Sequence, residues 1–171
     1  MNVIETDRLA LRRLSIDNAG FILDLLNQPS FIHFIGDRGV RTLDDARDYI
    51  LKGPIASYER FGFGLYLTML KESEVPIGIC GLVKRESLED VDVGFAFLPQ
   101  FWSKGYASES ASAVMAYGKS ALGLNRIVGV TSADNYGSIR VLEKIGLRFA
   151  KMVRLSADGP ELMLFALGSR T

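Results

Sequence analysis

The stretch Val91–Glu109, VDVGFAFLPQFWSKGYASE, constrains the fold more than any other part of the chain. An apolar, strand-like run ends at Leu98-Pro99, passes a short loop and enters a helix through Ser103-Lys104-Gly105-Tyr106-Ala107. Small residues at a strand-to-helix junction let a ligand approach the main chain, and the unpaired N–H groups of a first helical turn attract anions. The pattern reads as a phosphate seat.

What the loop lacks narrows the ligand. A P-loop needs Gly-Lys-Ser/Thr after a glycine-rich arch, whereas the order here is Ser103-Lys104-Gly105 with no arch before it. A dinucleotide fingerprint needs G-x-G-x-x-G after a strand, and Gly62 and Gly64 supply two glycines ahead of a strand-like run. Neither nucleotide hydrolysis nor dinucleotide binding fits.

Trp102-Ser103-Lys104-Gly105-Tyr106-Ala107, followed by Ser108-Glu109, resembles the acetyl-CoA loop of the GNAT superfamily of N-acetyltransferases, with its Q/R-x-x-G-x-G/A pattern. Asn135-Tyr136-Gly137-Ser138 and Val141-Leu142-Glu143-Lys144-Ile145-Gly146-Leu147 resemble the N-x-x-S-x-x-V-L-E-K-x-G-F segment of its ribosomal-protein (RimJ/RimL-like) subgroup. The opening Glu5-Thr6-Asp7-Arg8-Leu9-Ala10-Leu11-Arg12 is similar to that subgroup's T-x-R-L-x-L-R start, so the resemblance covers nearly the whole chain. Two departures stand out. Trp102 replaces Gln or Arg, as is common in the subgroup, and Leu142 stands where many GNAT enzymes carry a tyrosine that protonates the leaving thiolate.

At 171 residues and 48% apolar the chain suits one well-buried core, so one domain over residues 1–171 is expected. Twenty basic residues balance twenty acidic ones, leaving no excess field for a nucleic acid or an anionic membrane surface. Charges at Glu5, Asp7, Arg8, Arg12 and Arg13 break any leader-like apolar segment, and no apolar run reaches membrane-spanning length; the cytoplasm is the expected location. Cys80, the sole cysteine, sits in an apolar run as a buried small hydrophobe, and with one histidine no metal site is expected.

Periodicity predicts a strand over Val3–Leu14, a helix capped by Asp17 and stopped by Pro29, and a loop over Phe31–Gly39. A second helix opens on the capping box Thr42-Leu43-Asp44-Asp45 and runs toward Tyr58, kinked or split at Gly53-Pro54. Gly64–Lys71, Pro76–Lys84 and Val91–Leu98 form a three-strand meander. A helix over Gly105–Leu122, a strand over Arg126–Thr131, a helix to Ile145 stopped by Gly146, and a closing hairpin of Leu147–Leu155 and Glu161–Leu167 complete the order. This is an α+β domain with a mixed, mostly antiparallel central sheet and helices on both faces, the GNAT-like arrangement the resemblance implies.

The resemblance implies a site and a reaction: acetyl-CoA as co-substrate, a primary amine as acceptor (a protein N-terminus or a small molecule), and direct transfer in a ternary complex. Main-chain groups of Phe95, Ala96 and Phe97 would hold the pantetheine arm, with Phe95 or Ala96 supporting the oxyanion. Those of Ser103, Lys104, Gly105, Tyr106 and Ala107, with Ser108, would hold the diphosphate. Glu109 fits stabilisation of a helix N-terminus. Lys104 adds charge or is solvated; Arg140 and Lys144, one turn apart, meet the 3′-phosphate or form a solvated face. Asn135 caps its helix and faces the cofactor arm or the acceptor. Ser138 replaces the missing tyrosine as hydrogen-bond donor to the leaving thiolate. The amine must be neutral to attack, so a carboxylate is needed as base: Asp92 first, Glu161 near the closing hairpin second. His33 and Phe34 are acceptor-side candidates, and Tyr58, Phe61 and Phe63 line the same pocket or fill core. A homodimer is a further expectation of the resemblance. The competing reading is a non-catalytic acyl-CoA-binding or interaction module.

Overall fold

The computed structural model describes residues 1–167. The chain enters as a hairpin, β1 (Ile4–Glu5) against β2 (Leu9–Arg13), which corrects the single strand expected over Val3–Leu14. Thr6 is the reason: its N–H donates to the Leu9 carbonyl and its hydroxyl accepts the Leu9 N–H at 3.0 Å. A side chain that offers the main chain a local partner favours a turn over a straight strand.

Ser15 rather than Asp17 opens the next element. Its hydroxyl accepts the Asp17 N–H while its own N–H donates to Asn18 Oδ1, starting a 3-10 turn (Ile16–Asn18) that leads into α1 (Ala19–Leu26). The loop expected over Phe31–Gly39 is instead partly helical, α2 (Pro29–Phe34). Pro29 ends α1 as expected, but it also occupies the first position of α2, where its missing N–H costs nothing. The Thr42–Asp45 box forms as read and opens α3 (Leu43–Ile50). Gly53-Pro54 then splits the long helix through a π turn (Leu51–Ile55) before α4 (Ala56–Phe61).

The meander is as expected: β3 (Leu65–Leu70), β4 (Pro76–Val83) and β5 (Val91–Phe97), all antiparallel. After it come α5 (Tyr106–Ser120), β6 (Ile127–Thr131) and α6 (Tyr136–Lys144), which ends at Gly146 with φ 100°. The closing hairpin is β7 (Leu147–Arg154) and β8 (Glu161–Leu167). Strand order is β1-β2-β3-β4-β5-β6-β8-β7, antiparallel throughout except for the β5–β6 pair. β8, apolar on both faces, lies inside the sheet, whereas β7 carries Arg148, Lys151 and Arg154 and forms the edge.

Two helical layers cover the sheet. On one face Ile22, Leu25 and Leu26 of α1 and Ala46 and Ile50 of α3 pack on Ala10, Leu67, Met69 and Ile79. On the other, Ala111, Val114 and Met115 of α5 and Leu142 of α6 pack on Leu9, Leu11, Leu82, Val93 and Ile127. A Cβ on Gly118 would stand 2.7 Å from Ile127 Cδ1, which shows how closely α5 lies on the strands. Cys80 is fully buried between these layers, and burial pushes its thiol up to about 12, so it stays a protonated hydrophobe.

Candidate active site

β5 and β6 meet at two rungs only, Val91–Ile127 and Asp92–Val128, and part beyond them. Leu98 N–H donates to the Ile77 carbonyl on β4 at 3.0 Å. Main-chain groups alternate sides along a strand, so the even-numbered residues of β5 address β4 and the odd-numbered ones address β6. Val93 still flanks the last rung; the odd residues beyond it are Phe95 and Phe97, and they face an open gap. Ala96 is paired with Ile79 and turns its amide toward β4, which removes it from the oxyanion role expected of it. The Phe97 carbonyl accepts Trp102 Nε1–H at 2.9 Å, so Phe95 is left with both main-chain groups facing the gap. Trp102 thus has a structural task at the end of the strand, beyond marking a subgroup.

The phosphate loop closes this end. Ser103 (φ 63°) and Gly105 (φ 84°) adopt left-handed conformations, and Gly105 is the N-cap of α5. Among the described residues the N–H groups of Ser103, Lys104 and Gly105 have no intramolecular partner. Those of Tyr106, Ala107 and Ser108 belong to the first helical turn, which leaves them free as well. Their donors gather at the carboxyl end of β5, where a diphosphate is well served. A cleft of about 360 Å³ beside them is lined by Arg8, Gly105, Ser108, Glu109, Ser112, Lys144 and Ile145. Lys144 therefore stands on the cleft wall, while Arg140 is exposed outside that lining.

Residues the sequence did not single out hold the loop from behind. Arg8 Nη1 donates to the Lys104 carbonyl at 3.0 Å and its Nε to Glu109 Oε1 at 2.7 Å, with the guanidinium 4.4 Å over the Tyr106 ring. Glu109 also accepts the Arg8 N–H at 3.1 Å and the Thr6 hydroxyl at 2.6 Å. Burial pushes the Glu109 carboxyl up, but these hydrogen bonds outweigh it and hold the group below the usual carboxylate range. Arg8 and Thr6 lie in the T-x-R-L opening and Glu109 in the loop motif; that they meet across the fold is not written in either segment alone.

On the gap's far side Asn135 caps α6, its Oδ1 accepting the Ser138 N–H at 3.2 Å, as expected. Ser138 therefore lies in the first turn of α6, at the same end of the sheet as the phosphate loop. Leu142, one turn deeper, is 1% exposed and packs on β6, where a Cβ on Gly129 would stand 2.6 Å from its Cδ2. Ser132 Oγ, just past β6, is buried and makes no hydrogen bond among the described residues.

Asp92 sits on the last β5–β6 rung, 1% exposed, with Arg85 Nε 3.0 Å from its Oδ1. Burial pushes its carboxyl up against the opposing pull of Arg85. It is enclosed rather than open to solvent, and it lies on the α1–α3 side of the sheet with Ala96. Glu161 begins β8 beyond the Thr131–Met163 rung, exposed and 3.8 Å from Arg154. His33 Nε2 approaches Asp134 Oδ2 at 3.0 Å, joining α2 to the β6–α6 loop across the mouth of the gap, and Phe34 stacks edgewise on the His33 ring. Tyr58 and Phe63 are core; Phe61 is exposed.

The acetyltransferase (GNAT) domain family matches this chain over residues 8–148, a span that includes the parting strands, the loop and both flanking helices. The chain belongs to the GNAT family. It is similar to the uncharacterized N-acetyltransferase YoaA of Bacillus subtilis, 30% identical over 154 residues that cover 89% of this chain and 86% of the relative. YnaD of the same organism, also an uncharacterized N-acetyltransferase, is 29% identical over 145 residues, 85% of this chain and 82% of the relative. Among solved structures, RimL, a ribosomal L7/L12 alpha-N-protein acetyltransferase in complex with coenzyme A, shares the fold with TM-score 0.83 at 17% identity, covering 97% of each chain. A GNAT acetyltransferase from Bacillus anthracis superposes with TM-score 0.79 at 24% identity, covering 96% of each. Where many GNAT enzymes carry a tyrosine, this chain has a buried Leu142, and the hydroxyls of α6 are those of Tyr136 and Ser138 in its first turn.

Proposed function

We propose that the chain is a cytoplasmic N-acetyltransferase, one domain over residues 1–171, that moves an acetyl group directly from acetyl-CoA to a primary amine in a ternary complex. The observation that carries this reading is the convergence of three sets of main-chain donors on one opening: the free N–H groups of residues 103–108, the gap-facing amide of Phe95, and the α6 N-terminus. Backbone donors set around a gap suit a ligand that is a diphosphate at one end and an extended amide chain at the other. That combination is the chemistry of coenzyme A.

The co-substrate supplies the acetyl group as a thioester, and the chain's own residues do the rest. Residues 103–108 hold the diphosphate without any required side chain, which is why the small Gly105 and Ala107 are the informative positions. The Phe95 N–H donates to the thioester oxygen as charge develops there. The acceptor nitrogen forms its bond to the carbonyl carbon as the carbon–sulfur bond breaks; Ser138 Oγ–H donates to the departing sulfur and Asp92 receives the amine proton, through a relay because it is enclosed. The sheet itself separates the partners. Asp92 and the α2 residues His33 and Phe34 lie on the α1–α3 side, the phosphate loop and Ser138 on the α5–α6 side, and the gap joins them.

The acceptor to test first is a protein N-terminal amine, the class named for RimL, beside a panel of small amines. Titration with CoA followed by thiol-release assays on both panels tests the reading. Binding and turnover support it; binding without turnover on any acceptor supports a non-catalytic acyl-CoA module, which the leucine at position 142 favours. In Gly105→Glu, a side chain forced into φ 84° beside Arg8 and a negative charge in the loop should abolish CoA binding while circular dichroism stays near normal. Unchanged CoA affinity in that variant overturns the loop assignment.

A further inference from the structure

The Arg8–Glu109 pair has a geometry that a plain surface ion pair does not need. Gly105 is flanked by two peptide planes, and both are held. The carbonyl before it, on Lys104, accepts from Arg8 Nη1 at 3.0 Å; the carbonyl after it, its own, accepts the Glu109 N–H at 3.0 Å. In a planar trans peptide the C=O and the following N–H point in opposite directions. Tying the Lys104 oxygen to Arg8 therefore turns the Gly105 N–H away from Arg8, toward the concave side of the loop.

This fixing acts on a segment that resists its conformation. Ser103 is a non-glycine residue at φ 63°, a left-handed conformation that is unfavourable for an L-residue. Arg8 is in turn immobilised on three sides: by Glu109 at Nε, by the Tyr106 ring beneath the guanidinium, and by its own N–H on Glu109 Oε2. Thr6 fixes the other edge of that carboxylate. The β1–β2 hairpin and α5 thus form a clamp whose point of action is the Lys104–Gly105 peptide.

We propose that Arg8 is a positioning residue for the phosphate loop: anchored by Glu109, it presets the Gly105 N–H for an anionic phosphate ligand without itself bonding the reacting groups. The inference rests on the acyl-CoA reading of the loop. Arg8 can act here because its planar fork serves two acceptors at fixed angles, which a lysine ammonium does not reproduce.

The variants Arg8→Ala, Arg8→Lys and Glu109→Gln separate positioning from direct charge attraction. Calorimetric titration with CoA is the primary readout, with acetyl-CoA KM and kcat and the thermal midpoint beside it. Positioning predicts CoA binding weakened about tenfold in Arg8→Ala and little recovered in Arg8→Lys, with KM rising in step and kcat at saturation changed less than about twofold. Glu109→Gln gives the decisive sign. Removing a negative charge from the cleft strengthens CoA binding if Arg8 acts simply as a cation, and weakens it if Glu109 serves to hold Arg8 on the loop. Equal or tighter binding by Glu109→Gln, or unchanged binding by Arg8→Ala, overturns the proposal. If Arg8→Ala fails to fold, Glu109→Gln decides alone. Failure of the wild-type chain to bind CoA would instead overturn the functional reading, so the two failures are distinct.

Discussion

Gly78→Ala tests whether the placement of β5 governs cofactor affinity. A Cβ at position 78 would stand 2.4 Å from the Ala96 carbonyl oxygen and 2.6 Å from Phe97 Cδ2. Ordinary contact begins near 3.4 Å, so β5 must retreat from β4 by roughly 1 Å, with its main chain rather than a flexible side chain as the obstacle. The segment displaced is the one whose odd-numbered residues face the gap. Overpacking of this kind costs about 2 kcal/mol, or roughly 4–8 °C in the midpoint for a chain of this length. A displacement of about 1 Å in a reacting group's frame costs up to about a hundredfold in rate. Gly81→Ala is the matched control, because its Cβ would meet Gly64 O at 2.1 Å and push toward β3 instead. Both variants should melt earlier by similar amounts. Only Gly78→Ala should also lose CoA affinity, by about tenfold or more in calorimetric titration at a temperature where both remain folded. If Gly78→Ala is destabilised yet binds CoA as tightly as Gly81→Ala, the main chain of β5 does not hold the pantetheine arm.

Ser138→Ala should lower kcat with acetyl-CoA by about tenfold or more while leaving CoA affinity within about twofold, since a hydrogen bond to the departing sulfur is made only as the bond breaks; full turnover removes Ser138 from the mechanism. With Asp92 as proton acceptor, activity requires its ionised form, so kcat rises with pH through a midpoint above the ordinary carboxylate range, as its burial dictates. Asp92→Asn should abolish that limb, and a limb that survives assigns the base elsewhere. The folded carboxyl binds its proton more tightly than the unfolded one. Its stabilising contribution is therefore present at acid pH and lost as pH climbs, and Asp92→Asn should flatten that slope in a series of melts.

The phosphate loop, the α6 cap and the meander were legible because each is a local statement. Gly105 before a helix, Asn135 three residues ahead of Ser138, and polar Glu72-Ser73-Glu74 between two β-rich runs each determine their own neighbourhood. Helix α2 was missed because Pro29 carries two meanings, helix stop and first helical residue, and only packing of Phe31 against the α1–α3 core chooses between them. The clamp was illegible for a different reason. Arg8 and Glu109 are 101 residues apart, and nothing local in Asp7-Arg8-Leu9 says that the arginine will reach the Lys104 carbonyl. Main-chain direction along β5 was likewise beyond the sequence. Phe95 and Ala96 are equivalent as letters, and the Leu98–Ile77 bond is what separates them.

The gap between β5 and β6 explains why so few side chains of the candidate site look catalytic. A sheet is normally a wall, and the helices on its two faces do not communicate. Here the last rung at Asp92–Val128 ends the ladder while both strands continue, so a hole opens between residues that would otherwise satisfy each other's amides. Unsatisfied main-chain groups in a gap are costly unless something takes their place, and under the proposed function that is a ligand carrying amides of its own. Under the proposed function, the same opening joins Asp92 and α2 on one face to Ser138 and the phosphate loop on the other. Chemistry under that proposal depends on strand pairing, which is why substitution at Gly78, on the neighbouring strand, should disturb it more than loss of the exposed Glu161 or Arg140.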